Sequence, residues 1–303
     1  MDIRQLRYLI ALVQEAHFSR AAARCNVSQP ALSAQIKRLE EDLGVPLIKR
    51  GNSYGGLTPE GERVIAWARR IVGDADGLLD AAALLRGELS GALTIGVVPS
   101  ALAVVPLLTQ PLLVRHPELR FRIVSASSKG IQRGLDDLSF DAGITYLDNE
   151  PLKAVDTLGL YHEEFSLLVP EEQSDRFDDT IAWSALDEVS LCLLSPEMQN
   201  RRIIDRVFAE VGITPEPLIE SNSVATLYGH VRTAKLCTIV ARNHFTSFGV
   251  APGVALKRLD PPHIRQQIGL VRHETQVHAP RVAALWDIAQ ERDVAALVTE
   301  SAQ

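Results

Sequence analysis

The stretch from Ser19 to Pro46 leaves few ways to fold. Ser28 reads as a helix N-cap, with Gln29 and Pro30 in the first turn, where a missing N–H is harmless. Leu32, Ile36, Leu39 and Leu43 follow at helical spacing as one inner face, and Gly44 with Val45-Pro46 stops the helix. Upstream, Ser19 as N-cap opens a shorter helix to Cys25, in which Ala21, Ala22 and Ala23 let a neighbour pack closely. Asn26-Val27 makes the break between the two, because Asn tolerates left-handed backbone. Before both, Ile3, Leu6, Ile10 and Val13 mark the apolar face of a further helix. Two short helices joined by a few residues, the second with a polar outer face, fit a helix-turn-helix.

That outer face carries the chemistry. Gln29, Ser33 and Lys37 line one stripe, with Pro30 and Ala34 beside them. Gln pairs bidentately with adenine, Ser accepts several partners, and Ala or Pro rests on a thymine methyl. Lys37, Arg38, Lys49, Arg50 and Arg24 suit phosphates, and the amides at a helix start add an anion site. With the helix-start residues Ser19 and Ser28, these make a candidate face for double-stranded DNA. An ordinary amphipathic helix with a solvated polar face has the same periodicity.

Charge bears on the choice. The 303 residues carry a net charge of -7, which argues against a protein coated in basic charge. The charge is uneven, however: residues 1–70 hold 11 Lys and Arg against 7 Asp and Glu, and residues 71–303 hold 20 against 31. A basic module joined to an acidic body suggests separate tasks, although short segments fluctuate by a few charges. The 46% hydrophobic and 23% charged content excludes a disordered or fibrous chain. No apolar run approaches the ~18 residues of a membrane span, so no membrane partner is expected. The N-terminus lacks the pattern of a signal peptide, and three scattered cysteines make no disulfide framework; both point to the cytoplasm.

The run from Ala21-Ala22 through Val27-Ser28-Gln29-Pro30-Ala31-Leu32-Ser33, Gln35-Ile36, Leu39-Glu40 and Leu43-Gly44-Val45-Pro46-Leu47 resembles the helix-turn-helix of LysR-type transcriptional regulators. Length, domain order and later segments extend the resemblance over essentially the whole chain. It departs at Ala34, often Arg in the family, and in the wing Gly51–Gly56, which has no cation of its own. The resemblance implies an α/β protein with an N-terminal all-α winged helix-turn-helix at 1–58 and a linker helix at 59–86. The two-lobed, periplasmic-binding-protein-like effector domain then occupies 91–303, with lobe I at 91–163 and 269–303 and lobe II at 164–268. It further implies a homodimer or homotetramer on promoter DNA, a small-molecule effector, and RNA polymerase as a further partner.

The connector agrees with self-association. Thr58-Pro59 supplies an N-cap and a proline at the first helical position, and Glu60 and Glu62 favour the helix dipole. Val64, Ala68, Ile71, Ala75, Leu78, Ala82 and Leu85 alternate four- and three-residue steps, as in a heptad seam. A helix packed on its own domain shows the same stripe. The segment from Arg86 to Gly91 reads as a hinge.

Beyond Gly91 strands and helices alternate. Strands are predicted at 93–98, 120–124, 141–146, 165–169, 189–194 and 238–240. Helices are predicted after Pro99-Ser100 to Leu113 and at 131–138, 201–211, 224–234 and 282–297. Ligands in such folds bind at the carboxyl ends of strands. Ser100, Ser128, Thr145 and Tyr146 hold those positions, and Met198, Asn200, Val224 and Thr226 lie at helix starts. By resemblance, Ser100, Ser128, Thr145 and Asn200 through Arg201 face the effector. Hydroxyls and helix-start amides suit a small organic anion.

Enzyme chemistry is absent from the motifs: there is no nucleophile elbow, dinucleotide turn or phosphate loop, and no cofactor is expected. His273 and His278 superficially resemble a zinc motif but stand five apart, so on a helix they diverge by roughly 140°. Cys192 and Cys237 read as two buried cysteines, or as a redox pair of the kind in peroxide-sensing family members. An enzyme on a binding-protein fold lacks its motifs here, and a solute-binding protein leaves residues 1–58 without a role.

Overall fold

A computed structural model describes residues 1–49, 54–84, 89–245, 249–250, 252–276 and 279–300. The chain forms two compact units, one of Met1–Leu89 with Gly134–Ser139 and residues 278–280, the other of the remaining residues from Ser90 onward.

The first unit is helical: α1 (Ile3–Glu15), α2 (Phe18–Arg24), α3 (Gln29–Leu43) and α4 (Pro59–Leu84). Asp2 caps α1, taking the Arg4 amide at 2.7 Å, while Gln5 Oε1 accepts the Asp2 amide at 2.8 Å. The buried stripe of α1 is Leu6, Leu9 and Leu12 with Ala11. Ile3, expected inside, is 43% exposed, and Ile10 and Val13 are half-buried. His17, not Ser19, caps α2: its Nδ1 accepts the Ser19 amide at 3.2 Å, which leaves Ser19 inside the first turn. Asn26 takes φ 54° at the break, and Ser28 Oγ accepts the Ala31 amide at 3.3 Å. Leu32, Ile36 and Leu39 of α3 are buried, whereas Leu43, in the final turn before Gly44 (φ 71°), is 37% exposed.

Glu40 ties α3 to the segment after it. Its Oε1 accepts the Leu47 amide at 2.7 Å and the Ile48 amide at 3.0 Å. Ile48 then bridges Leu57 in antiparallel fashion at the wing base, while Arg50 through Ser53 lie outside the described residues. Thr58 closes the junction, donating to the Pro46 carbonyl at 2.7 Å and accepting the Gly61 amide at 2.9 Å. On α4, Ile65, Ala68 and Val72 join the core formed by Leu6, Leu9, Leu39, Leu47 and Leu57. The expected single seam is therefore divided: Ala68 packs on its own domain, while Ile71 and Leu78 stay exposed at 37% and 71%, alongside Trp67 and Leu79. Leu85 and the hinge residues Arg86–Glu88 lie outside the described residues.

The second unit begins with β1 (Gly91–Val97), a 3-10 turn at Pro99–Val104, α5 (Val105–Arg115), β2 (Leu119–Ser125), α6 (Ser128–Asp136) and β3 (Ala142–Tyr146). It continues through β4 (Val155–Pro170), β5 (Thr180–Ile181), β6 (Cys192–Leu194), α7 (Gln199–Glu210), β7 (Ile219–Ser221) and α8 (Val224–Ala234). The last elements are β8 (Thr238–Ala241), β9 (Val254–Leu259), β10 (Arg265–His273), α9 (Pro280–Glu291) and α10 (Val294–Glu300). The main sheet runs β2-β1-β3-β10-β4-β9-β5, with β8 also paired to β4. β1 is parallel to β2 and β3, as βαβ crossovers require, whereas β10 is antiparallel to β3 and β4.

β4 organises this unit. Its residues Val155–Glu164 pair with β10, and Phe165–Pro170 pair with β8 and β9. The predicted strand at 165–169 is only the second half of this element. The predicted strand at 189–194 contracts to Cys192–Leu194, and β9 and β10 lie outside the predicted strands. The single helix expected at 282–297 is two, because Asp293 caps a new start, accepting the Ala296 amide at 2.9 Å.

The Thr58–Gly61 junction yields a prediction. A Cβ at Gly61 would lie 2.2 Å from the Leu47 carbonyl oxygen, an atom of a backbone already pinned by Glu40. Gly61→Ala is expected to destabilise the N-terminal unit by about 1–3 kcal/mol, read as a lower urea midpoint for its unfolding. An unchanged midpoint would contradict this packing.

Candidate functional sites

The first site is the outer face of α3. Gln29, Pro30, Ala34, Lys37 and Arg38 are exposed there and Ser33 is half-buried, while Ser28 Oγ is engaged as the cap. Ser19 on α2 and Lys49 at the wing base are also exposed. Two cations have partners: Arg24 meets Glu15 at 3.0 Å and Lys37 meets Glu41 at 3.9 Å. Both pairs are solvent-exposed and therefore weak, so a phosphate can displace the carboxylates.

The second site is a cluster of buried polar groups in the second unit. Tyr146, fully buried at the end of β3, donates to Glu163 Oε2 at 2.5 Å. Its hydroxyl also receives Asn200 Nδ2 at 3.0 Å and lies 3.0 Å from Ser100 Oγ. Asn243 Nδ2 reaches the Tyr161 hydroxyl at 3.1 Å and the Ser100 carbonyl at 3.4 Å. Ser128 and Thr145 make a separate buried pair at 3.0 Å, since successive residues of a strand face opposite ways. A cavity of about 10 Å³, room for one water, is lined by Ser100, Asn200, Val224 and His244 with apolar neighbours.

Strand position explains the cluster. Ser100 follows β1 in the 3-10 turn, Tyr146 ends β3, and Asn200 opens α7, whose N-cap Met198 offers no side-chain cap. The first amides of α7 thus have no side-chain cap from the N-cap residue. Of the other candidates, Met198 packs in an apolar core with Leu168, Cys192 and Leu194. Arg201 turns away to Asp205 at 2.7 Å, Glu220 at 2.6 Å and the Leu194 carbonyl at 3.0 Å. Thr226 is exposed, its amide held by Ser223.

Sequence reasoning missed Tyr161, Glu163 and Asn243. Strict alternation was the available signal: Tyr161, Glu163 and Phe165 are buried on one face of β4, and His162 and Glu164 point the other way. A carboxylate among apolar in-facing residues marks a buried polar centre.

Burial dominates the electrostatics of that carboxylate. It pushes the Glu163 pKa from 4.5 up to about 7, against the bond from Tyr146 and the nearby Ser100, Asn243 and Tyr161, which favour the charged form. Glu163 Oε1 and the Oδ1 atoms of Asn200 and Asn243 make no well-aligned hydrogen bond among the described residues. Burial, and the charge of Glu163, hold the Tyr146 and Tyr161 hydroxyls firmly protonated. The cysteines show the same physics. Cys192 and Cys237 are free, buried thiols with pKa values pushed up to about 11, so neither is a ready thiolate for peroxide chemistry. Among the described residues no group of His, Cys, Asp and Glu could hold a metal ion, and no helix is long and apolar enough to cross a membrane.

Comparison with known proteins matches this arrangement. A family model described as "Bacterial regulatory helix-turn-helix protein, lysR family" matches residues 3–62, and "LysR substrate binding domain" matches residues 86–293. The HTH-type transcriptional regulator XapR of Escherichia coli K12 is 30% identical over 246 residues, 80% of this chain and 83% of its own. The solved structure of a full-length OxyR point variant from Pseudomonas aeruginosa superposes with a TM-score of 0.78 at 27% identity, covering 98% of this chain and 97% of that one. Full-length CbnR, solved in complex with its target DNA, shares the fold with a TM-score of 0.69 at 23% identity, over 96% of this chain and 99% of its own. The chain belongs to the LysR family: it is a DNA-binding transcriptional regulator with an effector-binding domain, and not an enzyme.

Glu163 sets a pH dependence. Because its pKa is higher in the folded than in the unfolded chain, the native state binds more protons between pH 4.5 and about 7. Stability therefore falls as pH rises through that window, by on the order of 3 kcal/mol, and the loss is complete above about 7. Glu163→Gln should flatten this segment of a urea-midpoint profile against pH and should exceed wild type in stability at pH 8. A profile matching wild type would show that Glu163 is not the responsible group.

Proposed function

We propose that this regulator is cytoplasmic and reads an interrupted inverted repeat in promoter DNA as a homodimer or homotetramer. In this reading a small effector, bound in the second unit, changes promoter binding or bending. Residues 1–58 act as the winged helix-turn-helix, 59–86 as the dimerising linker and 91–303 as the effector domain. Lobe I of that domain is 91–163 with 269–303, and lobe II is 164–268. RNA polymerase is the further partner of a protein so placed at a promoter.

The observation that carries the reading is the buried polar cluster of Ser100, Tyr146, Glu163 and Asn200. A core bears such a network at a cost, and unpaired acceptors within it are more costly still. A role in recognition accounts for both. The uncapped start of α7 and the hydroxyls of Ser100, Ser128 and Thr145 support a small organic anion as effector. The adjoining cavity admits one water, so an effector must bind a more open arrangement and shift the population toward it. A thermal-shift panel of small organic acids tests this. A true effector at a hundred times its Kd stabilises wild type by about 2.7 kcal/mol, and Asn200→Ala should abolish the shift. A panel without any response would remove the support for an anion.

On DNA, Gln29, Pro30, Ser33 and Ala34 address base edges. Ser19, Arg24, Ser28, Lys37, Arg38, Lys49 and Arg50 hold the backbone in this reading, supported by the exposure of the described residues among them. In a gel shift with promoter DNA adjoining its own gene, Gln29→Ala should relax base preference by about 1–3 kcal/mol. Lys37→Ala should weaken specific and scrambled DNA alike and lower the salt slope by about 1. Equal losses from both variants on both DNAs would contradict this division.

Self-association rests on the exposed half of the linker stripe, Ile71 and Leu78. Leu78→Glu should shift sedimentation toward monomer without lowering the thermal midpoint of the second unit. An unaltered assembly state would place the dimer contact elsewhere.

A further inference from the structure

A cavity of about 270 Å³ opens at the middle of β4, with a different chemistry from the polar cluster. Arg242, Arg265 and Glu164 line it with His162, Asn243 and Thr299, and its less polar part is Tyr161 with Ala295 and Val298 of α10. Glu164 is already matched: Arg265 Nε lies 3.6 Å from its Oε1, and His263 Nε2 lies 3.7 Å away. Arg242 is exposed, and no ion pair to it is found among the described residues. Two guanidiniums against one carboxylate leave a net positive cavity on a body whose residues 71–303 are strongly acidic. Guanidinium is the side-chain group best shaped for a carboxylate, and here it stands beside that less polar part.

We propose that this cavity is a second ligand site, for a small monocarboxylic acid with a compact apolar body. The carboxylate meets Arg242, with Arg265 adding charge, and the body rests on Val298, Ala295 and Tyr161. The volume sits just below the ~300–1,000 Å³ typical of pockets for drug-sized ligands, which sets the size class. The site is distinct from the Ser100–Tyr146–Asn200 cluster, and it stands whether or not that cluster binds the effector. The partition is Tyr161 and Asn243: both line the cavity, and Asn243 Nδ2 reaches the Tyr161 hydroxyl and, on the other side, the Ser100 carbonyl.

The test uses the full-length chain, with cyclohexanecarboxylate as probe and cyclohexanecarboxamide as its neutral counterpart, by isothermal titration calorimetry. Saturable binding of the acid is expected. The amide, and separately Arg242→Ala, should weaken it at least tenfold, and Asn200→Ala should change it less than twofold. Arg265→Gln serves as a second variant, with an expected loss of several-fold, should Arg242→Ala prove unfolded by circular dichroism. Absence of saturable binding overturns the proposal, as does equal affinity for the amide or binding that survives loss of either arginine. Binding lost in Asn200→Ala also overturns it, because the ligand then occupies the polar cluster instead.

Discussion

The ladder between β4 and β10 supports most of what is distinctive in the second unit. It runs from Val155 opposite His273 to Glu164 opposite Arg265, and β4 then continues unbroken into pairing with β8 and β9. One strand shared by both parts of the sheet fixes which side chains face inward on either side of the crossing. Tyr161, Glu163 and Phe165 are consequences of that alternation, and Glu163 is brought under the hydroxyl of Tyr146. The register slips by one residue between Ile268 and Gly269, opposite the Gly159–Tyr161 segment. Glycine is required there, since a Cβ at Gly269 would stand 2.6 Å from the Leu158 carbonyl oxygen. The irregularity supplies local twist at the place where the chain passes from one set of strands to the other.

Local chemistry and tertiary context divided the rest. Helix stops and starts with their own signatures were readable: Asn26, Ser28, Gly44 and Thr58 each perform the expected role because caps and left-handed turns depend on the residue itself. His17 was not readable as a cap, because its ring nitrogen takes an amide only once the chain has turned. The short strands β5 and β7 have too few residues for periodicity to register. Strand ends drew attention to Ser100 and Tyr146, and a helix start to Asn200; the three meet around the Tyr146 hydroxyl. The same reasoning could not tell that Arg201 would be occupied by Asp205 and Glu220, since Glu220 arrives from β7. Glu163 escaped for a related reason: adjacent Glu163 and Glu164 look alike until the strand gives them opposite faces.

Whole-chain charge was a poor guide to partners. The acidity lies in the larger part, while the first 70 residues carry the excess of cations. Even there, Glu15, Glu41 and Asp42 stand near Arg24, Lys37 and the amino terminus, so the field is softened until a stronger anion competes. Within the acidic part, Arg242 and Arg265 stand together at the middle of β4, beside Glu164. What a binding partner meets is the field within about 10 Å of its own charges at ordinary ionic strength.

The pairing of Glu164 with Arg265 also bears on how this architecture tolerates change. Everything between those two residues is an excursion whose ends are held one strand spacing apart, ~4.8 Å. Its closure is enforced by the ladder, so its length enters the free energy only logarithmically. Such an excursion can be exchanged for another of different size while the remaining sheet keeps its order. Diversity of ligand can therefore accumulate in the inserted part, and the strands that carry Ser100 and Tyr146 need not be rebuilt each time.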